Sequence, residues 1–255
     1  MRLLDAHAHL CDPAFDGDRD EVLARARAAG VARVLVVGET LHDARRNLEL
    51  TRAHPEVLIP AAGLFPTRLD VQEAAALTEW IREHRAELRA IGEVGLDHWK
   101  VQDEAGRELQ RSIFEGFISL SAELDLPLNV HSRSTGRETI ALLFARGARR
   151  VLLHAFDGKV SSAAPAVEAG YFFSVPPSVV RSEQKRKLVR GLPLSCLLLE
   201  SDSPVLGPDP GERNEPANVL VSLRAIAEIK GVSPEEVAAV TEENVRRLFG
   251  DLPDV

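Results

Sequence analysis

Eight short runs rich in valine, isoleucine and leucine punctuate the chain, each followed by a polar or Gly/Pro break and then a longer stretch of mixed character. The runs are RLLDAHAHL, VARVLVVGE, VLIPAAGLFP, LRAIGEVGLD, LPLNVHSR, RVLLHAFDG, YFFSVPPSV and CLLLESDSPV. Between them, DRDEVLARARAAG, AALTEWIREHRAEL, LQRSIFEGFISLSAEL and GRETIALLFARGA repeat apolar residues every three or four positions, which predicts amphipathic helices. Near-continuous apolar strands alternating with helices predict a parallel sheet covered by helices. Eight such units predict an α/β fold of the (β/α)8, TIM-like barrel kind. A doubly wound sheet meets the same alternation, but it usually carries a glycine-rich phosphate loop after its first strand, and none is present here. After the eighth run, SPVLGPDPGERNEP predicts a long loop, and EPANVLVSLRAIAEIKG and SPEEVAAVTEENVRRLFG predict two closing helices. Ser233, Pro234 and Glu236 supply the N-cap, first-turn proline and capping-box acid of the second. No internal repeat or low-complexity tract interrupts this plan, so residues 1–255 are expected to form a single domain.

Composition narrows the function classes. Hydrophobic residues make up 45% and charged residues 27%, the balance of an ordinary globular protein rather than a disordered one. A net charge of −8 argues against sequence-independent coating of DNA, which needs a broad basic surface, but leaves room for a local cationic pocket. Cys11 and Cys196 are too few for a disulfide framework and read as buried thiols in a reducing compartment. No signal-peptide pattern and no apolar run long enough for a membrane span is present. A cytoplasmic protein with no membrane partner is expected.

Against this background the opening DAHAH stands out. In an extended strand alternate side chains share a face, so Asp5, His7 and His9 are expected to point the same way and offer the imidazole and carboxylate donors that borderline divalent metals prefer. So short a motif also arises by chance, and the other strands have to decide. The fourth run carries Glu93, the fifth His131, the sixth His154 and the eighth Asp202, each read as lying at the C-terminal end of its strand. Those ends converge on one rim of a parallel barrel, where active sites are built. Any one of the six residues could be a buried side chain satisfied by its neighbours, but five of eight runs ending in ligand-type residues is poorly explained by accident. The set has the pattern of a two-metal hydrolase. His42, His54 and His84 fall in helical stretches and read as solvated.

In order along the chain, DAHAHL, GEVGLD, LPLNVHSR, VLLHAFDG and ESDSPVLGP resemble the TatD family of metal-dependent deoxyribonucleases, and the stretch from LPLNVHSR through RNEPANV is most similar to its TatD-domain-containing protein 3 branch. The resemblance implies a barrel of the amidohydrolase type holding two divalent metal ions, Mg²⁺, Mn²⁺ or Zn²⁺. It implies that His7 and His9 hold the first ion, His131 and His154 the second, that Glu93 bridges them where many amidohydrolases use a carboxylated lysine, and that Asp202 is a ligand that also takes the proton of the attacking water. Two adjacent dications make hydroxide available at neutral pH. The implied reaction is hydrolysis of a DNA phosphodiester by an exodeoxyribonuclease acting at DNA ends or damaged sites, a role in DNA repair, with single-stranded or frayed DNA as partner.

Other residues are candidates for substrate contact or support. Arg133, two residues past His131, can pair with phosphate or with a loop acid; Arg213 and Asn214 are weaker candidates of the same sort. Asp5 is expected to orient an imidazole, or to be a buried acid satisfied by amides. RSEQKRKLVR reads as a solvated helix face, or as a surface near entering DNA. The chain departs from the family pattern in three places. Phe65 replaces the histidine of a G-x-H-P motif, His98 stands where an aromatic often follows GLD, and Asp157 stands where many relatives carry a small hydroxyl residue. Phe65 either stacks a nucleobase or packs under the adjacent loop, and His98 is a candidate substrate contact. Two other functions compete with the nuclease: an ester or amide hydrolase, such as a D-aminoacyl-tRNA deacylase, and a nonenzymatic metal or nucleic-acid binder. The full ligand set speaks against the last.

Overall fold

Each of the eight apolar runs forms a strand in the computed structural model, which describes residues 1–252, so the last three residues of the expected 1–255 unit lie outside the described residues. The strands are β1 (Leu3–Ala8), β2 (Val31–Val36), β3 (Leu58–Ala62), β4 (Ala90–Asp97), β5 (Leu128–Arg133), β6 (Val151–Leu153), β7 (Phe172–Val175) and β8 (Leu197–Leu199). They pair in parallel in the order β1 to β8. Helices follow them in sequence: α1 (Arg19–Ala28), α2 (Leu41–Ala53), α3 (Val71–Glu83), α4 (Glu104–Leu124), α5 (Gly136–Ala145), α6 (Val160–Glu168), α7 (Glu183–Gly191), α8 (Val219–Lys230) and α9 (Pro234–Phe249). The expected (β/α)8 barrel is therefore the fold, with α8 and α9 as the two closing helices. Ser233 Oγ accepts from the Glu236 backbone N–H at 3.1 Å, the predicted start of α9.

The last seam closes just past the end of β8. Asp202 N–H donates to the His7 carbonyl (2.9 Å) and His9 N–H to the Ser203 carbonyl (2.8 Å), with Ala8 bridging Ser203. Three carriers of the candidate chemistry, His7, His9 and Asp202, are thus part of the joint that makes the sheet a barrel.

Side chains alternate between two apolar layers. Ala6, Leu35, Val37, Ile59, Ala61, Ala90, Leu152, Phe172 and Leu198 fill the barrel interior, where Val245, Leu248 and Phe249 of α9 join them. Leu3, Ala8, Val34, Val36, Ile91, Val94 and Leu96 pack outward with the helices. Strict alternation would turn His7 and Glu93 outward, because Leu3 and Ile91 face out. Two bulges reverse this. Between Asp5–Val34 and Ala8–Val36, β1 advances three residues while β2 advances two, and between Ile91–Leu128 and Val94–Val130, β4 advances three against two on β5. An extra residue re-aims the side chains that follow it, and both bulges act next to a candidate ligand.

Beyond its bulge, β4 runs four residues past Glu93 and hugs β5. Gly95 makes this possible: its φ is +145°, and a Cβ there would lie 2.0 Å from the His131 carbonyl oxygen. Gly95→Ala is expected to cost at least about 3 kcal/mol from backbone strain and forced separation of the strands. Its thermal melt, followed by circular dichroism, should fall on the order of 5–10 °C; an unshifted melt would show that the strand pair tolerates the separation.

Candidate metal centre and its cavity

Glu93 lies at the middle of the site, 1% exposed, and its two carboxylate oxygens face different partners. Oε1 lies 2.7 Å from His131 Nδ1 and 2.7 Å from His154 Nε2. Oε2 lies 3.3 Å from His9 Nε2 and 3.6 Å from His7 Nε2. Within each pair the imidazole nitrogens also face each other, at 3.1 Å for His7 and His9 and 3.2 Å for His131 and His154. Asp202 Oδ1 stands on the His7 and His9 side, 3.4 Å and 3.7 Å from their Nε2 atoms. The six residues named from the sequence do come together, and three overlapping groups of them, His7–His9–Glu93, Glu93–His131–His154 and His7–His154–Asp202, have the compactness of a metal site.

Neighbours absent from the sequence reading aim these side chains. Asn129 Oδ1 accepts from His7 Nδ1 (2.9 Å), and its amide nitrogen donates to the Ala6 carbonyl (2.9 Å), so the His7 Nε2 lone pair is left facing the cluster. Asp97 Oδ2 meets His131 Nε2 at 3.1 Å, leaving Nδ1 for the centre. Glu200 accepts from Ser174 Oγ (2.6 Å) and Ala155 N–H (2.9 Å) and lies 3.8 Å from His154 Nδ1. A hydrogen-bonded amide behind His7 and a carboxylate behind His131 are the arrangement that fixes ring orientation and raises ligand basicity. Asn129 and Asp97 carried a usable signal: Asn129 stands two residues before His131 on the same strand, and Asp97 is the acid of GLD where β4 ends.

Asp5 corrects the one-face expectation for DAHAH. The β1 bulge separates it from His7 and His9, and it contacts no imidazole. Its Oδ1 accepts instead from Ser201 N–H (2.8 Å) and His7 N–H (3.2 Å), pinning the segment that carries Asp202. Burial raises its carboxyl to about 8. Asn214 holds the same segment from the other side, donating to the Ser201 and Val205 carbonyls at 2.6 Å and 2.7 Å. Two strand positions are corrected as well. Glu93 lies mid-strand rather than at the end of β4, and Asp202 lies beyond the end of β8.

The electrostatics are those of a site that shares positive charge. Burial would raise the Glu93 carboxyl, but the charge of His154 and hydrogen bonds from His131, His154 and His9 hold it well below the usual range. Burial would lower His9 and His131, yet Glu93, with Asp202 or Asp97, lifts each to about 9. His7 is lowered by burial and by the neighbouring His154. Asp202 is raised by burial.

Above the cluster opens a cavity of about 430 Å³, lined among others by Phe65, Arg133, Asp157 and Lys185. Phe65 is half-buried and meets the His131 ring edge-on at 5.1 Å. Lys185, from the first turn of α7, donates to the Ala155 carbonyl (3.0 Å), and burial lowers its ammonium. The solvated-face reading of RSEQKRKLVR therefore misses this one lysine. Asp157 accepts from Ser134 N–H at 3.0 Å. His98 does not line the cavity; it faces Glu138 at 3.4 Å. Arg213 is taken up by a two-point pair with Asp18 and by the Phe15 ring. Of the three histidines read as solvated, His54 pairs with Asp20 at 3.3 Å and His84 stacks on Trp80 at 4.2 Å, both outside the cluster.

Residues 4–250 match the family described as TatD related DNase. A human relative, Deoxyribonuclease TATDN3, is 44% identical over 261 residues, covering 98% of this chain and 95% of its own length. The 3'-5' ssDNA/RNA exonuclease TatD of Erwinia tasmaniensis is 31% identical over 267 residues, covering 97% of this chain and 99% of its own. Among solved structures, YJJV, a TatD homologue from Escherichia coli K12, superposes with a TM-score of 0.89 at 28% identity, covering 98% of each chain.

Proposed function

The chain belongs to the TatD related DNase family, and on that premise we propose that it is a divalent-metal-dependent DNA phosphodiesterase, an exodeoxyribonuclease acting at DNA ends or damaged sites. The observation that carries this reading is the division of four imidazoles into two pairs by the two oxygens of Glu93. Each pair brings two nitrogens and one oxygen to a common point, a donor set that fits one cation on either side of a shared carboxylate. Four imidazoles favour Zn²⁺ over the oxygen-seeking Mg²⁺. When bound, such a pair supplies Lewis-acid polarisation of a phosphoryl oxygen and acidifies a water into the neutral range.

The chain's own residues divide the remaining work. Glu93 keeps the two nitrogen pairs together and offsets the charge they would gather. Asn129 and Asp97 hold the His7 and His131 rings in one orientation. Asp202, anchored at the barrel seam beside His7 and His9, orients the attacking water and accepts its proton. Arg133 and Lys185 bring positive charge to the cavity, which suits an anionic phosphodiester better than the neutral carbonyl of an ester or amide. Phe65 offers an apolar edge beside His131 for the base nearest the scissile bond. Among the described residues no helix is long and apolar enough to cross a membrane, and the free, buried thiols of Cys11 and Cys196 support a reducing, cytoplasmic setting.

The deciding experiment sets the purified protein with Mg²⁺, Mn²⁺ or Zn²⁺ against end-labelled single-stranded DNA, duplex DNA, an abasic duplex and aminoacyl-tRNA. Stepwise shortening of single strands is expected. Release of the amino acid without DNA cleavage would replace the nuclease reading by the deacylase. Within that assay Arg133→Ala should raise KM about 10-fold or more, the worth of a charged hydrogen bond, with kcat little changed, because the contact exists in ground and transition states alike. Unchanged constants would take Arg133 out of phosphate binding.

A further inference from the structure

Trp99, in the turn after β4, keeps 50% of its surface exposed, whereas the other tryptophan, Trp80 on α3, keeps 8%. Arg133 lays its guanidinium 3.8 Å from the centroid of the Trp99 ring, and the Lys100 ammonium lies 4.7 Å from it. Strand register assembles the three: Asp97 of β4 is level with Arg133 of β5, and His98 N–H donates to the Arg133 carbonyl at 3.1 Å. The first residues past β4 must therefore pass over Arg133. Arg133 also lines the cavity over the metal centre, so it links the exposed ring to the rim of that cavity.

A guanidinium held over a ring can still offer N–H donors to a phosphate, and among the described residues Arg133 and Lys100 meet the Trp99 ring and form no ion pair. An exposed aromatic ring flanked by two such cations, on a protein of net charge −8, is a local exception to an acidic surface. Stacking surface plus backbone-neutralising charge is the combination that holds single-stranded nucleic acid. We propose that Trp99, Arg133 and Lys100 form a platform for the strand that flanks the scissile phosphodiester, with a nucleobase on the exposed side of Trp99 and adjacent phosphates on the two cations. The proposal rests on the phosphodiesterase reading and gives the expected taste for single strands and frayed ends a physical source: bases in a duplex are already stacked and paired and cannot lie on the Trp99 ring.

The test compares oligothymidylate with an all-abasic strand of the same length, which keeps the phosphates and lacks the bases. In EDTA, where no cleavage occurs, oligothymidylate should quench tryptophan fluorescence through Trp99, over a constant background from buried Trp80. Wild type should bind it about 5- to 100-fold more tightly than the abasic strand, the factor expected for one stacked base. Trp99→Leu should erase that preference and Trp99→Phe should keep most of it; the exposure of Trp99 makes both variants safe for folding. Equal binding of the two strands by wild type, or an undiminished preference in Trp99→Leu, overturns the platform. A wild-type protein that binds with the expected preference but cleaves no phosphodiester under any of the three metals overturns the nuclease reading and leaves the platform standing.

Discussion

Glu93→Gln is expected to remove both ions of the proposed metal pair from the isolated protein and to lower phosphodiester cleavage on the order of 1000-fold, as loss of preorganised charge at a reacting centre does. The amide has one acceptor oxygen where the carboxylate has two, so one imidazole pair loses its oxygen and faces an NH₂ group instead. The other pair keeps an oxygen but loses the negative charge that offsets two dications. Because one residue serves both pairs, the two affinities should fall together, each by at least about 100-fold, the upper range for disturbing a ligand's support. Elemental analysis after gel filtration and calorimetric titration with Zn²⁺ and Mn²⁺ measure this directly. Two ions per chain in the variant would show that Glu93 is not shared between them. Loss from one site alone would reassign it as a ligand of one ion.

The sequence carries the strands and the ligand-type residues plainly, because a buried parallel strand is an apolar run and a histidine or acid inside one has few structural reasons to be there. Which way those residues point was not legible. His7 and Glu93 reach the centre through bulges in β1 and β4, and a bulge is a count of residues on one strand against another, information that neither strand holds alone. This is why Asp5 reads as a neighbour of the imidazoles and is instead the pin of the barrel seam. Lys185 escaped for a related reason: in a run of charges, nothing marks the one that the first turn of α7 tips into the cavity. Trp99 depends on register as well, since only the alignment of Asp97 with Arg133 brings its ring over the guanidinium.

Asp202→Asn separates chemistry from architecture at the seam itself. The residue is 6% exposed, its backbone N–H holds the His7 carbonyl at 2.9 Å, and its φ is +53°. That left-handed conformation is one asparagine adopts readily and most other residues do not, so the variant keeps the shape, the seam hydrogen bond and the backbone geometry, whereas alanine would add strain. Asparagine cannot accept a proton and brings no charge beside His7 and His9. Turnover should therefore fall at least about 100-fold, the scale of a lost general base, while the thermal melt stays close to wild type and oligothymidylate binding in EDTA is retained. Near-normal turnover with metal supplied in excess would remove Asp202 from proton transfer and leave it as a brace of the barrel joint.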